Sequence, residues 1–267
     1  MKKTAIKTLA AATLLTAAGA NAAIIYDGNV TPDVIFGGGN ANGSYTIDRD
    51  NGVELGLRGK LRHNGSGAPE NTFNSNGDGT YSFDAGVAPT QSFPTAVWSF
   101  EWSINTDYTG NNQLKLADLS FVLGLDTNPS LSTAFTTFDP IHANNPGSGN
   151  VCWDHSLGDN ATANGAGVET NCGLATAVAD YATNLTDYNV AQNSWKPHWF
   201  FPVFDPTVDG TYNIFLAAMN TAGQELARTE IQIIVGQGGS AEVPEPATLL
   251  LMLGGLLGLS RRFAKNG

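Results

Sequence analysis

The chain has 267 residues, of which 42% are hydrophobic and only 14% charged, with 31 glycines and a formal net charge of −11. That length suits one large domain, and the mix of many glycines and few charges favours turn-rich β structure with a real core over a disordered segment or a helical bundle. The acidic balance excludes a nucleic-acid partner, since too few cations are present to neutralise a run of phosphates.

At the start of the chain, Lys2, Lys3 and Lys7 precede an apolar stretch over 8–18, and Ala20-Asn21-Ala22 supplies a small-x-small cleavage pattern. This arrangement predicts a secretory signal peptide over 1–22 and a mature chain beginning at Ala23.

From 23 to 235 the dominant signal is alternation of period two between turn residues. Over 96–106, Trp98, Phe100, Trp102 and Ile104 share one face and Ser99, Glu101, Ser103 and Asn105 the other, as in a half-buried strand. Over 52–62, Val53, Leu55, Leu57 and Leu61 face inward, while Glu54, Arg58, Lys60 and Arg62 form a charged face expected to be solvated. Further strands are predicted over 23–26, 34–36, 44–47, 80–84, 114–125, 199–204, 211–218 and 225–235. Asn51-Gly52, Asn76-Gly77, Asp78-Gly79 and Asp209-Gly210 mark turns that tolerate positive φ. Many short strands with such punctuation predict an all-β, antiparallel β-sandwich, immunoglobulin-like or jelly-roll. The polar run 138–173 reads as a long loop. After it, Leu174, Val178, Tyr181 and Leu185 recur at helical spacing and predict a short helix near 174–186. Residues 236–242, rich in glycine, read as a flexible linker.

Few residues carry candidate chemistry. Cys152 and Cys172 are the only cysteines, and in an exported chain they predict a disulfide closing a loop of about 20 residues, worth about 3 kcal/mol by chain entropy. The alternative is a zinc site, because Cys152 and His155 have C-x-x-H spacing and Cys172 and His142 could complete four ligands. Asn74, Asn76 and Asp78 resemble the front half of a calcium loop, but Ala85 stands where the bidentate Glu of such a loop is needed, so a hairpin turn is the better reading. No cofactor is implied, and no nucleophile elbow or Cys-His pair with supporting residues is present. Glu101 is the one carboxylate placed for glycoside hydrolysis, without a second acid on its strand face. Trp98 and Trp102 read as core, whereas Trp153, Trp195 and Trp199 lie in polar surroundings. Of these, Trp153 and Trp195 are the candidates to stack on sugar rings; capping of the core is the alternative.

The chain closes on Val243-Pro244-Glu245-Pro246, an apolar run over 247–259 and Arg261-Arg262. About 13 apolar residues fall short of the roughly 20 of a comfortable bilayer span, so the run is expected to be a short transmembrane anchor with its positive end on the cytoplasmic side. This three-part order resembles the PEP-CTERM sorting signal of Gram-negative bacteria. The resemblance implies recognition of Pro244, Glu245 and Pro246 by an exosortase-type transpeptidase, a transient inner-membrane anchor and a stop at Arg261 and Arg262. It also implies a setting of exopolysaccharide and biofilm production, with a β-rich passenger over 23–235. Together these readings predict a non-enzymatic, exported surface or matrix protein, with a structural or adhesive role, a carbohydrate-binding module or a jelly-roll carbohydrate-active enzyme as the functional alternatives.

Overall fold

A computed structural model describes residues 23–142, 152–201 and 203–240. The predicted signal peptide, the tail from 243 and the apolar run within it lie outside these residues. Two sheets face each other. The first has six antiparallel strands in the order β1 (Ile25–Gly28), β2 (Tyr45–Asp50), β3 (Val53–Leu61), β5 (Trp98–Asn105), β9 (Val190–Trp195) and β8 (Ser156–Gly158). The second has five, ordered β4 (Thr80–Phe83), β11 (Glu225–Val235), β10 (Gly210–Met219), β6 (Ser120–Asp126) and β7 (Phe135–Phe138), with β4 parallel to β11. This is the predicted sandwich. Helix α1 (Ala177–Asp187) buries Tyr181 and Leu185 of the predicted stripe together with Ala177, while Leu174 and Val178 of that stripe are exposed.

The inner face follows from alternation. In β5 every second side chain, from Trp98 to Ile104, is fully buried, and the register sets Leu57 opposite Trp102 and Leu55 opposite Ile104. The facing layer is Tyr212, Ile214 and Leu216 of β10 with Ile231, Ile233 and Val235 of β11. Gly59 has no side chain because the sheets approach closely there: a Cβ would stand 2.8 Å from Phe83 and 2.9 Å from Tyr81. The β2–β3 hairpin turns on Asn51 and Gly52 at φ 49° and 80°, the left-handed pair that a tight two-residue turn requires.

The outer face of the first sheet departs from expectation. Glu54, Arg58 and Lys60, read as solvated, are buried, as are Ser99, Glu101, Ser103 and Asn105 of β5. A second layer of loops covers them, chiefly residues 29–44. The Arg58 guanidinium donates to Glu101 at 2.7 Å, stands over Tyr45 and Phe73, and donates to the carbonyls of Ala41 and Gly43. Lys60 lies 3.3 Å from the other Glu101 oxygen and donates to Asn40. Burial lowers the proton affinity of Lys60 even against the attraction of Glu101. Glu54 accepts the Thr31 amide at 2.6 Å and pairs with Arg49. Gln192 of β9 accepts from the Ile35 amide and donates to the Asp33 carbonyl. The polar face is therefore a row of hydrogen-bonding partners for loop backbone, which would otherwise be buried unpaired.

Other departures have similar causes. Residues 34–36 form no strand; Val34 and Ile35 are buried in the loop layer, bonded one carbonyl at a time to Gly165 and Gly167. Residues 199–204 are also not a strand. Pro197–Trp199 makes a 3-10 turn, after which Phe201 and Phe204 pack on Tyr212. In the predicted 114–125 strand, Leu116–Asp118 is a 3-10 turn and β6 starts at Ser120. The stretch read as a linker is tied to the sandwich as far as Ser240, through Gly236 to the Phe83 carbonyl, Gly239 to the Thr211 hydroxyl and Leu131 to the Ser240 carbonyl.

Removing one partner from a buried ion pair leaves an uncompensated charge, a cost of about 3–5 kcal/mol. Glu101→Gln is therefore expected to lower the urea midpoint by that equivalent at unchanged m-value. A loss below about 1 kcal/mol would contradict the burial of this cluster.

Candidate functional site

The strongest concentration of unusual side chains lies where β9 ends beside β5. Trp195, the last residue of β9, is 2% exposed and packs against Phe100, Trp102, Phe138 and Phe200, with the Phe200 ring at 4.7 Å. It is core, not a surface platform. Trp153 is only partly buried and leans on Trp195 at 5.2 Å. Trp199, in the 3-10 turn, is 51% exposed. These indoles, with Asp154 and Phe200, line an open hollow of about 230 Å³.

The wall under the hollow is held by His155, which is completely buried. Its Nε2 lies 2.7 Å from the Pro140 carbonyl, an acceptor only, so Nε2 carries the hydrogen and Nδ1 accepts from the Asn193 amide at 3.0 Å. The Trp153 ring stacks on this imidazole at 5.3 Å and the edge of Trp102 meets it at 4.8 Å. The neutral ring thus has both nitrogens satisfied, and burial pushes its pKa down to about 4.

Cys152 and Cys172 are disulfide-bonded, with Cα atoms 5.6 Å apart. The bond places Trp153 beside its anchor, and it consumes both thiols of the alternative zinc set. His142 instead lies 3.1 Å from Asp139. The calcium candidates also have other engagements: Asp78 caps Thr80 through its amide and hydroxyl, and Asn76 donates to the hydroxyls of Thr80 and Ser82. Asn74 accepts the Ser82 amide through its carbonyl. Among the described residues no group of three or more His, Cys, Asp or Glu side chains could hold a metal. Glu101 is fully buried beneath the loop layer, paired with two cations.

One feature escaped the sequence reading. Arg62 and His63 follow β3, both amides bonded to the Val97 carbonyl, while Lys196 and His198 follow β9. Because β5 separates β3 from β9, these residues converge at one sheet end. His63 also lines a larger open groove of about 590 Å³, with Asn64, Glu70, Thr72, Asp84 and Gly236 among its walls. The signal was available as basic residues one or two positions beyond strands, but it needed the β3-β5-β9 order to be seen.

Residues 242–265 match the family model described as the PEP-CTERM protein-sorting motif. No match was found among curated proteins or among solved structures. The chain thus carries a PEP-CTERM sorting motif behind a β-rich passenger, which marks it as an exosortase-sorted surface or secreted protein. Among the described residues no helix is long and apolar enough to cross a membrane, and the 247–259 run lies outside them.

The His155 environment has a pH consequence. The unfolded ring takes up a proton below its ordinary pKa of about 6.5, whereas the folded ring resists protonation down to about 4. Stability is therefore full above the unfolded value and falls as pH drops through this window, by up to about 3 kcal/mol. Urea unfolding at pH 7, 5.5 and 4 should show this slope, and His155→Gln should flatten it. An unchanged slope would assign the pH dependence to other groups.

Proposed function

We propose that the protein is a non-enzymatic surface or matrix component that holds polysaccharide in the aromatic hollow beside Trp199. The observation that carries this reading is an open indole, Trp199, sharing a hollow with Trp153 over a rigid wall of Trp195 and Phe200. Flat aromatic faces stack on the apolar faces of sugars, and the Asp154 carboxylate at the rim supplies a hydrogen-bond acceptor. Trp195 serves as the buried support, so the ligand-facing role passes from the Trp153 and Trp195 pair to Trp153 and Trp199. A non-catalytic reading is supported by Glu101, whose carboxylate is held inside the protein by Arg58 and Lys60 and so is out of reach of a glycosidic bond.

The sorting motif supplies the setting. An exosortase-type transpeptidase recognises Val243, Pro244, Glu245 and Pro246 in a precursor held at the inner membrane through 247–259, with Arg261 and Arg262 at its end. The processed passenger is released or attached outside, in contact with exopolysaccharide of the biofilm matrix.

Two experiments test this. Trp153→Ala and Trp199→Ala are each expected to weaken retention in polysaccharide-containing native gels about tenfold, the loss of about 1.4 kcal/mol of stacking. Unchanged retention in both variants would sink the polysaccharide role. Intact mass of protein recovered outside the cell should lack the residues beyond about Pro246, and a full tail in that fraction would refute processing.

A further inference from the structure

The cationic cluster at the end of the first sheet is anomalous in an acidic chain. With 24 acidic and 13 basic residues, a cation on this surface has many carboxylates available to it. Arg49, Arg58, Lys60 and Arg228 all find one within 4.0 Å. Arg62, Lys115 and Lys196 find none among the described residues, and of these Lys115 donates to the Asp187 carbonyl. Lys196 rests its ammonium 5.8 Å from the Trp199 ring centre instead.

Register explains how these charges meet. Leu61 pairs with Trp98 and Trp195 with Phe100, so β3 and β9 flank β5 at a spacing of about 10 Å, two strand separations. Continuing the alternation by one residue puts Arg62 on the side of Lys60, and Lys196 on the side of Ser194, which pairs with Glu101. Both therefore project from the outer face of the first sheet. Ser99 and Ser194 lie between them, their hydroxyls 3.3 Å apart and Ser99 buried. Two imidazoles complete the group. His63 is 7% exposed; its Nδ1 lies 3.1 Å from the Gly67 carbonyl, while its buried Nε2 has no partner. The Nδ1 of His198 is likewise buried without a partner.

We propose that Arg62, His63, Lys196 and His198 form an oxyanion subsite that takes the carboxylate or sulfate group of an acidic polysaccharide whose ring stacks on Trp199. The inference rests on the polysaccharide reading above and narrows it to acidic polymers. The unpaired Arg62 and Lys196 match an oxygen-rich anion through charge-assisted bonds, which are the strong ones. His63, whose Nδ1–H is given to the Gly67 carbonyl, keeps a lone pair on Nε2 while neutral and donates there only as the imidazolium, the form a bound anion favours. The charges that act on this group are of one sign, while Glu70 and Asp84 line the wider groove beyond His63. The charges acting on Lys196, His63 and His198 are all cationic, and together with burial they lower the proton affinity of each. An anion would relieve that repulsion. Trp199 lines the aromatic hollow and His63 the larger groove, so the cluster borders both.

The test compares gel retention of the full passenger in polygalacturonate, in dextran sulfate and in neutral dextran, with parallel calorimetric titrations of sodium sulfate alone. An overall charge of −11 repels polyanions, so retention by the acidic gels in itself requires a local cationic site. The expected result is retention in an acidic gel that falls at least about tenfold in Arg62→Gln/Lys196→Gln, is preserved in Arg62→Lys/Lys196→Arg, and is unaffected by Lys115→Gln, a cation remote from the cluster. Matching melting temperatures show that the variants fold. No retention in either acidic gel, or equal retention by the double Gln variant, overturns the proposal. Sulfate alone binding as tightly as the polymer overturns the sugar assignment in favour of a free-ion site. Retention in neutral dextran that is lost in Trp199→Ala but kept in the Gln variant would leave the aromatic site standing while the oxyanion subsite fails.

Discussion

The structure depends on a charged row buried between a sheet and a layer of loops. Arg58, Lys60 and Glu101 are removed from water together, and desolvation of three ions is tolerable only when they pair closely and gain further hydrogen bonds. Glu101 alone cannot satisfy five guanidinium hydrogens and three ammonium hydrogens. The carbonyls of Ala41 and Gly43 take the Arg58 Nη1 hydrogens and the side chain of Asn40 accepts from Lys60, while Arg58 Nη2 and Glu101 Oε1 rest on ion-pair contacts of 2.6 and 3.3 Å alone. The loop over 29–44 is thereby fixed by the same residues it shields, and Tyr45 and Phe73 close over the guanidinium. Neither the loop nor the charged row would be stable without the other. This gives the sandwich a third layer that has no regular secondary structure.

That layer also sets the geometry of the candidate site. β9 is held on its outer side by Gln192, which bridges the loop backbone at Asp33 and Ile35 and the hydroxyl of Ser103 on β5. Its inner side ends on Trp195, wedged among Phe100, Trp102 and Phe138. A strand gripped on both faces delivers Lys196, Pro197 and Trp199 to a defined place on the surface. The disulfide does the same for Trp153 from the opposite direction, anchoring the far side of the hollow to a loop that Thr170 and Asn184 tie to α1. An exposed indole and an exposed ammonium are thus carried by rigid supports, the condition under which surface residues lose little entropy on binding.

How much of this was legible follows from which forces act locally. Trp98, Phe100, Trp102 and Ile104 announced the central strand because a two-sided pattern is written in consecutive residues, and Asn51-Gly52 announced its hairpin because positive φ restricts residue choice. The stripe Tyr181 and Leu185 was readable for the same reason. The outer face of β3 was misread because alternation distinguishes apolar from polar, not exposed polar from buried polar; Arg58 and Glu101 reveal their pairing only in the cross-strand register. Strand β9, Val-Ala-Gln-Asn-Ser-Trp, hid itself in turn, since residues that bond loop backbone replace the apolar ones expected in a sheet interior. β7 and β8, with four and three residues, are too short for periodicity to register. For Trp195 the polar sequence neighbours left both sugar stacking and core capping open, and its burial selects the core.

The way the chain leaves the sandwich links the passenger to its sorting motif. Gly236 lines the same groove as His63, and the backbone remains bonded to β10 and to Leu131 through Gly239 and Ser240. The matched motif begins at residue 242. The bonded backbone thus reaches to within two residues of the motif. A long glycine linker would have decoupled the two, since flexible chains separate their ends with the square root of length. Here the glycines act differently: Gly236 and Gly238 adopt φ of 61° and 80° to fold the exit back against β4 and β10, which most side chains would resist. The exit from the sandwich is therefore fixed by backbone and side-chain bonds through five residues that composition alone would have dismissed as a spacer.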